Sequence, residues 1–355
     1  MDDPNAKPDE VSPEWITSVL RQKGVLDRGH AVAVRTILSR TLHVSRVSRL
    51  EIDYSATTPP SVPRKLFLKR SLLTGENRVQ TGIDQPEVEF YNSVAQRMPS
   101  EQLISCYHAS FSAETGDSAI LMEDLSDTHF QSPQREAPLQ QCSRLAVECL
   151  ARFHAYWWND PLLGTEIGKV FGRVWLERFL ADLETSVAGF QEFLGNGLST
   201  SRRETYRKML AAAPNIWGRL CDPSGLTVTH GDMHWWNFLF PNDLSADQMK
   251  IFDWQLWHID QGPRDLAFLL ALGGFAERRP ELDRELVRLY YDTLVSSGVR
   301  NYTWDEFWMD YRMSAIRNLN IPVIFWTQGK HPHTWNSMLN RAFEAYEEMG
   351  CEECL

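Results

Sequence analysis

The chain has 355 residues, of which 43% are hydrophobic and 23% charged, with 13 Trp, 17 Phe and a formal net charge of −11. That much apolar surface excludes a disordered chain and leaves room for about two domains or lobes. The acidic excess makes nucleic acid an unlikely main partner and is easier to reconcile with a neutral or cationic small molecule.

No apolar run approaches the roughly 18 residues of a bilayer span, so no membrane partner is expected. The opening "MDDPNAKPDE" has neither the basic start nor the apolar run of a secretory signal. Six scattered cysteines form no framework, and a cytoplasmic protein is the expectation. Cys351 and Cys354 in the terminal "GCEECL" lack a second pair or a histidine to complete a metal site.

In chain order, "SPEWITSVLRQKG" reads as a helix, with Ser12 as cap, Pro13 at the first helical position and Gly24 at the end. "AVAVRTIL" and "HVSRVSRLEIDY" read as strands of a hairpin closed by "SRT", and "KLFLKR" and "AILME" are further strands. Between these two, "QPEVEFYNSVAQRM" is helical, with Phe90, Tyr91 and Val94 on its inner face. Beyond residue 135, helical periods dominate at 136–158, 173–194, 199–219, 281–297, 304–319 and 333–350, broken by "TVTH" paired with "NFLF", and by "KIFDW". The expected organisation is a strand-rich N-terminal lobe over 1–120, a hinge at 121–127 and a helical C-terminal lobe over 128–355, an α+β plan of two lobes.

"VTHGDMHWWNFLF" carries the chemistry. Asp232 and Asn237 are separated by four residues, the spacing of a kinase catalytic loop, where the Asp accepts the substrate hydroxyl proton and the Asn holds magnesium. Phosphoryl transfer needs an aimed nucleophile and hard oxygen ligands that neutralise charge. Asp253, at the end of a second strand after "KIF", is the candidate second metal ligand. Lys69 ends "KLFLK" and suits the phosphate-binding lysine of a central strand. Helical phase places Glu87 with Phe90, Tyr91 and Val94, and Glu89 on the other face, so Glu87 is the chosen partner of Lys69.

"LMEDL", "LARFHAYWW", "HGDMHWWN" and "IFDWQLWHIDQGPRDLA" together resemble the aminoglycoside phosphotransferase and choline kinase superfamily over about Lys69 to Leu270. Within it, the "FDWQ" form and the aromatic-rich loop are most similar to the ecdysteroid kinase-like branch. The resemblance implies a protein-kinase-like two-lobed fold, ATP and Mg2+ as cofactors, and transfer to a small-molecule hydroxyl. By it Asp232 is the catalytic base, Asn237 and Asp253 hold magnesium, Lys69 contacts phosphate with Glu87 beside it, Glu123 and Leu125 meet adenine through their backbones, and Asp265 braces the catalytic loop. The expected hairpin turn has no glycine flap, which leaves phosphate contacts to the Ser39, Arg40 and Thr41 region.

His230 and His234 have metal-ligand spacing but no third ligand nearby, and His230 reads better as an anchor of the loop. Trp235, Trp236 and Trp257 read either as core or as walls of an acceptor pocket, with His234 beside them. The acceptor pocket is expected mostly in the helical lobe, including its Trp-rich 304–335 segments. An alternative reading is a nucleotide-binding pseudokinase with a regulatory role. A protein kinase is disfavoured, because eleven residues between Asp253 and Asp265 are too few for an activation loop and peptide platform.

Overall fold

The computed structural model describes residues 11–42, 45–71, 85–133, 138–222, 224–246, 248–273 and 280–355. The first ten residues, residues 43 and 44 of the second expected strand, and residues 136 and 137 at the start of the first long helical period lie outside these. The chain divides into two compact units, residues 1–130 with 250–255, and residues 131–249 with 256–355.

The first unit is built on five antiparallel strands, β1 (Ala31–Thr41), β2 (Ser45–Tyr54), β3 (Lys65–Ser71), β4 (Cys106–Phe111) and β5 (Ser118–Glu123), in the order β1-β2-β3-β5-β4. Helix α1 (Pro13–Gln22) starts where Ser12 Oγ accepts from the Trp15 N–H at 3.2 Å, and Thr17 Oγ1 takes the Ala31 N–H at 2.9 Å, fixing the helix to β1. Trp15, Ile16, Val19 and Leu20 bury one face of α1 against Leu50, Leu66, Leu68 and Leu121. Each such burial contributes about 1.5–3 kcal/mol relative to exposure. Alternation along β3 sends Leu66 and Leu68 into this core and turns Lys69 to the opposite face.

Two local expectations need correction here, and one strand was not expected. Ser39, Arg40 and Thr41 do not close the hairpin, because they pair with Ser48, Val47 and Arg46 as the end of β1. The sequence after Leu38 offers none of the Gly- or Asn-containing dipeptides that a tight turn demands, so the ladder runs on. Helix α2 (Gln85–Asn92) is shorter than its pattern, with a single 3-10 turn at Ala95–Arg97 after it. Ser93 Oγ donates to the Glu89 carbonyl at 2.6 Å and Asn92 Nδ2 to the Ala109 carbonyl at 3.1 Å, side-chain bonds that compete with further helix. Strand β4 escaped notice because "CYHASF" has neither clean alternation nor a β-branched run.

The second unit is mainly helical: α3 (Gln140–Trp157), α4 (Arg173–Leu194), α5 (Thr200–Gly218), α6 (Pro263–Leu272), α7 (Pro280–Ser296), α8 (Trp304–Arg317), α9 (Ile321–Thr327) and α10 (Pro332–Glu348). Its core gathers Phe190 of α4, Tyr206 and Trp217 of α5, Phe268 of α6, Leu319, and Trp335 and Phe343 of α10. All ten residues of α6 are buried. A helix buried on every side has no 3.6-residue apolar stripe, which is why periodicity passed over it.

Two short strands of this unit, β6 (Leu226–Thr229) and β7 (His258–Gln261), pair antiparallel, Thr229 opposite His258 and Leu226 opposite Gln261. The expected partner of "TVTH" was "NFLF". A 3-10 turn at Trp235–Asn237 instead leads the chain away before Phe238–Pro241 resumes as strand. Among the described residues no helix is long and apolar enough to cross a membrane.

Candidate active site

In the strand-rich unit, Lys69 Nζ lies 2.7 Å from Glu87 Oε2 and 2.7 Å from Asp253 Oδ1. Strand β3 presents the lysine, α2 presents Glu87 from its inner face, and the 250–255 segment presents Asp253. That segment is tied to the same unit by a bridge between Leu103 and Ile251, and by Trp254 stacked on Phe90 with ring centroids 4.0 Å apart at 8°. Glu87 is 1% exposed, whereas the Asp253 side chain is 40% exposed, so the open edge of the trio belongs to Asp253. Burial works against the ammonium, but the charges of Glu87 and Asp253 outweigh it and raise Lys69 above the ordinary lysine value. Asp253 has φ of 68°, a left-handed conformation that is uncommon outside glycine and is concentrated at functional positions. Glu89 has no part in the trio: it takes a hydrogen bond from Gln85 Nε2 at 2.7 Å on the exposed side of α2.

In the helical unit, strand β6 leads directly into the loop 230–237. Asp265, at the first turn of α6, accepts from the backbone N–H of His230 at 2.6 Å and of Gly231 at 3.0 Å. Buried His154 meets the same carboxylate through Nε2 at 3.3 Å, while its Nδ1 lies 2.6 Å from the Tyr290 hydroxyl. The two ring nitrogens thus serve two different partners, Nε2 on the Asp265 carboxylate and Nδ1 on the Tyr290 hydroxyl. Burial raises the Asp265 pKa, but the bonds and charges of His154 and His230 more than reverse this and hold it below the ordinary carboxylate value. Gly231 has φ of 81°, and a Cβ there would stand 2.2 Å from the Leu256 carbonyl oxygen, so the loop requires glycine.

Within the loop, His230 Nδ1 accepts from the Asp232 N–H at 3.3 Å, and Asn237 Nδ2 donates to the Asp232 carbonyl at 2.8 Å. Asn237 therefore spends its amide nitrogen on the loop and keeps Oδ1 for another partner. The Asp232 carboxylate is 38% exposed, and its Oδ1 lies 2.8 Å from His234 Nε2. Burial pushes its pKa up, but His234 by hydrogen bond and charge, and His230 by charge, bring it below the ordinary value. His234 is itself buried, stacked on Trp236 with ring centroids 4.3 Å apart at 11° and set edge-on to Phe268. Of the four residues read as acceptor walls, Trp235, Trp257 and His234 are buried and Trp236 is half-buried.

One layer under the loop went unread. His258 contacts the Leu256 carbonyl through Nδ1 at 2.9 Å and Asp260 through Nε2 at 3.3 Å. Asp260 is fully buried and takes a two-pronged ion pair from Arg317 at 2.9 and 2.6 Å. A carboxylate in the apolar run "LWHIDQGP" was the available signal, since such a charge must find a partner.

Ser39 and Thr41 fall on one face of β1 and Arg40 on the other, with the Ser39 and Ser48 hydroxyls 3.3 Å apart. Glu123 ends β5, where its N–H donates to the Ser105 carbonyl at 2.9 Å. The Leu125 carbonyl accepts from the Thr128 and His129 N–H groups, while its own N–H has no partner among the described residues.

The strand-rich unit with its Lys–Glu–Asp trio and the helical unit with its Asp–Asn loop define a phosphotransferase of α+β, protein-kinase-like fold. Residues 78–304, more than half of the chain, match the phosphotransferase enzyme family (APH), and the chain belongs to that family. A Ralstonia eutropha protein described as an aminoglycoside phosphotransferase aligns with a TM-score of 0.57 at 14% identity, covering 96% of this chain and 97% of that one. The amicoumacin kinase hAmiN, solved with AMP-PNP, Ca2+ and Ami, aligns with a TM-score of 0.50 at 14% identity, covering 94% of this chain and 92% of that one. Comparison with curated proteins gives no significant match.

Proposed function

We propose that the protein moves the γ-phosphate of ATP to a hydroxyl of a small molecule, with Mg2+ as the divalent ion. The observation that carries the reading is the ammonium of Lys69 held 2.7 Å from both Glu87 and Asp253. Folding alone asks for no such arrangement, because a buried hydrophobic replacement would be as stable or more so. In this reading Lys69 contacts the α- and β-phosphates, and Glu87 keeps it in place. The Glu123 carbonyl and the Leu125 N–H meet adenine. From the end of β1, the Arg40 side chain, which shares the face of Lys69 through Val47, serves the phosphates, and the Ser39 and Thr41 side chains lie on the opposite face of the strand.

Asp232 is the base. Its carboxylate is ionised at neutral pH, one oxygen is held by His234 Nε2, and the other is left for the acceptor hydroxyl. Asn237 Oδ1 and the Asp253 carboxylate are hard oxygen donors of the kind magnesium takes. Among the described residues no group of three His, Cys, Asp or Glu forms a protein-only metal site. Each of the two is a donor that suits an ion which binds through one or two carboxylates and otherwise through water and phosphate. When bound, the ion neutralises phosphate charge. Asp265 and His230 keep the loop in shape, and Trp236 with Trp235, Trp257 and His234 borders the acceptor.

The amicoumacin kinase structure, with its AMP-PNP, Ca2+ and Ami, supports this assignment by analogy of fold. The acceptor is an antibiotic, amino alcohol, sugar or steroid-like alcohol; "FDWQ" and the aromatic loop favour the ecdysteroid kinase-like branch. Six free thiols accord with a reducing compartment such as the cytoplasm.

The test is a panel of hydroxylated metabolites and antibiotics incubated with Mg-ATP and read by mass for an added phosphoryl group. One acceptor turned over by the wild type and not by Asp232→Ala supports the reading. Mg-ATP binding without turnover of any acceptor, or of water, would favour the pseudokinase instead.

A further inference from the structure

The His258 ring stands between two groups that can only accept hydrogen bonds. Its Nδ1 lies 2.9 Å from the Leu256 carbonyl oxygen and its Nε2 3.3 Å from Asp260 Oδ2. A neutral imidazole has a single N–H and satisfies one of them, whereas an imidazolium has two and satisfies both. Burial works against the cation, but the hydrogen bond and charge of Asp260, the bond to the Leu256 carbonyl and the charge of Asp265 more than reverse this, and raise His258 above the ordinary histidine value. Asp260 on its own strand and Asp265 of α6 thus favour the cation. Arg317 of α8 is bound behind Asp260, with Arg264 of α6 in charge range of both, and the neighbouring loop contributes His230 and Asp232 on either side of Gly231.

The catalytic loop lies directly on this arrangement. A Cβ at Gly231 would stand 2.2 Å from the Leu256 carbonyl oxygen and 3.0 Å from His258 Nδ1. Strand β6, which feeds the loop, pairs Thr229 with His258, and Thr229 Oγ1 donates to the His258 carbonyl at 2.9 Å. The residues before and after His230 are therefore both seated on His258 or on the carbonyl that its ring holds. Behind the ring, the two-pronged pair of Asp260 with Arg317 fixes the carboxylate on which Nε2 rests.

We propose that His258 is a positioning residue of the catalytic loop, a doubly donating cation that holds the Leu256 carbonyl under Gly231 and thereby keeps the Asp232 carboxylate in register with the acceptor hydroxyl. The hold on the loop stands by itself; its consequence for Asp232 rests on the function assigned above. A group whose folded-state value is raised contributes stability that is fully present below its unfolded value of about 6.5 and is lost as pH rises through the folded one. Above that point the ring has one N–H for two acceptors, and the loop loses part of its support. Lys69, raised above the ordinary lysine value, stays charged over the same range, so the alkaline loss belongs to His258.

Three measurements on the full chain test this. Of the ten histidine ring resonances in the proton NMR spectrum, the one missing from His258→Gln is expected to titrate above the ordinary histidine value. Hydrogen exchange read by mass spectrometry, at one pH below that midpoint, is expected to run about tenfold faster over residues 226–237 in His258→Gln and unchanged over α10, the loss of one charge-assisted hydrogen bond under the loop. Turnover of Mg-ATP, with an acceptor from the panel or with water, is expected to fall in the wild type above the ring's midpoint, a coincidence that needs no variant. In His258→Gln kcat is about tenfold lower at neutral pH, KM for ATP is unchanged and the alkaline limb is gone. A merely structural histidine would lower kcat equally at every pH.

A His258 ring that titrates at or below the ordinary value, or loop exchange indifferent to the substitution, overturns the hold on the loop. A wild-type limb away from the ring's midpoint, or one that persists in His258→Gln, overturns the part in turnover. Failure of the phosphotransferase reading alone would leave the titration and the exchange intact.

Discussion

Lys69 Nζ sits 2.7 Å from Glu87 Oε2 and 2.7 Å from Asp253 Oδ1, one ammonium serving one buried and one half-open carboxylate. The two carboxylates have different fates on substitution. Glu87→Gln leaves a neutral partner that no longer anchors the ammonium, and turnover is expected to fall about a hundredfold through misplacement of Lys69. Lys69→Met leaves Glu87 buried without the ammonium beside it, and costs about 3–5 kcal/mol of stability. Steady-state kinetics on the first and urea unfolding on the second check these values; a Lys69→Met protein as stable as wild type would show that Glu87 is not charged.

Asp232→Asn keeps the side-chain volume and removes the base. Transfer is expected to drop about 10²–10⁴-fold, with the melting temperature within a degree or two of wild type. Single-turnover kinetics separate the loss of chemistry from any loss of ATP affinity, which this substitution leaves near its wild-type value.

His234 and His230 hold the Asp232 pKa below the ordinary carboxylate value against the opposing effect of burial. A base with a depressed pKa is ionised above that value, so activity is retained through neutral and mildly acid pH and is lost only as pH falls through it. His234→Ala removes the hydrogen bond from Nε2 to the Asp232 carboxylate and moves the acid limb of the pH–rate profile to higher pH. An unmoved limb in that variant would detach His234 from the base and leave it a core residue stacked on Trp236.

The ion pair beneath the loop predicts a different pH dependence, read in stability. Burial raises the Asp260 pKa, but the Arg317 charge and the bonds from His258 and Arg317 depress it strongly overall. A carboxylate with a depressed folded-state pKa contributes stability that is fully present above its unfolded value of about 3.9 and is lost as pH falls through the folded one. Asp265 is depressed in the same sense and adds to the acid sensitivity. Asp260→Asn leaves Arg317 buried without its counter-charge, and is expected to cost about 3–5 kcal/mol at pH 7. The cost should shrink toward pH 3. Urea midpoints measured at both pH values check the sign.

The sequence was most informative where chemistry and short-range geometry coincide. The spacing from Asp232 to Asn237 is local, and helical phase separates Glu87 from Glu89 within a single turn, so both were open to inspection. Pairings across long separations were not. His154 meets Asp265 across 111 residues, and Asp260 meets Arg317 across 57. Nothing in a single sequence ties such partners together. The pairing of β6 with β7 was missed for a related reason: strands close in sequence are the natural first guess, and only the turn at Trp235–Asn237 sends Phe238–Pro241 elsewhere. Helix α6 was hidden by being buried on every side, which leaves no polar stripe to set a period.

Gly231 provides the sharpest test of the loop's shape. With φ of 81° and a prospective Cβ 2.2 Å from the Leu256 carbonyl oxygen, alanine meets both a disfavoured conformation and a backbone clash. The left-handed conformation alone costs roughly 1–2 kcal/mol for an L-residue. Because the obstructing atom is backbone, relief requires the loop to move, and the Gly231 N–H would leave Asp265, 3.0 Å away. Gly231→Ala is therefore expected to lose nearly all transfer activity, in line with the severe effect of small displacements at a reacting centre. Stability should fall by about 2–4 kcal/mol as clash and lost hydrogen bond combine. Affinity for metal-free AMP-PNP should change little, since the phosphate and adenine contacts proposed for Lys69, Glu123 and Leu125 lie outside the loop. Activity assays and calorimetric AMP-PNP titration on the same preparation check the pair of outcomes. A Gly231→Ala protein with wild-type turnover would mean that the 230–237 loop does not carry the base.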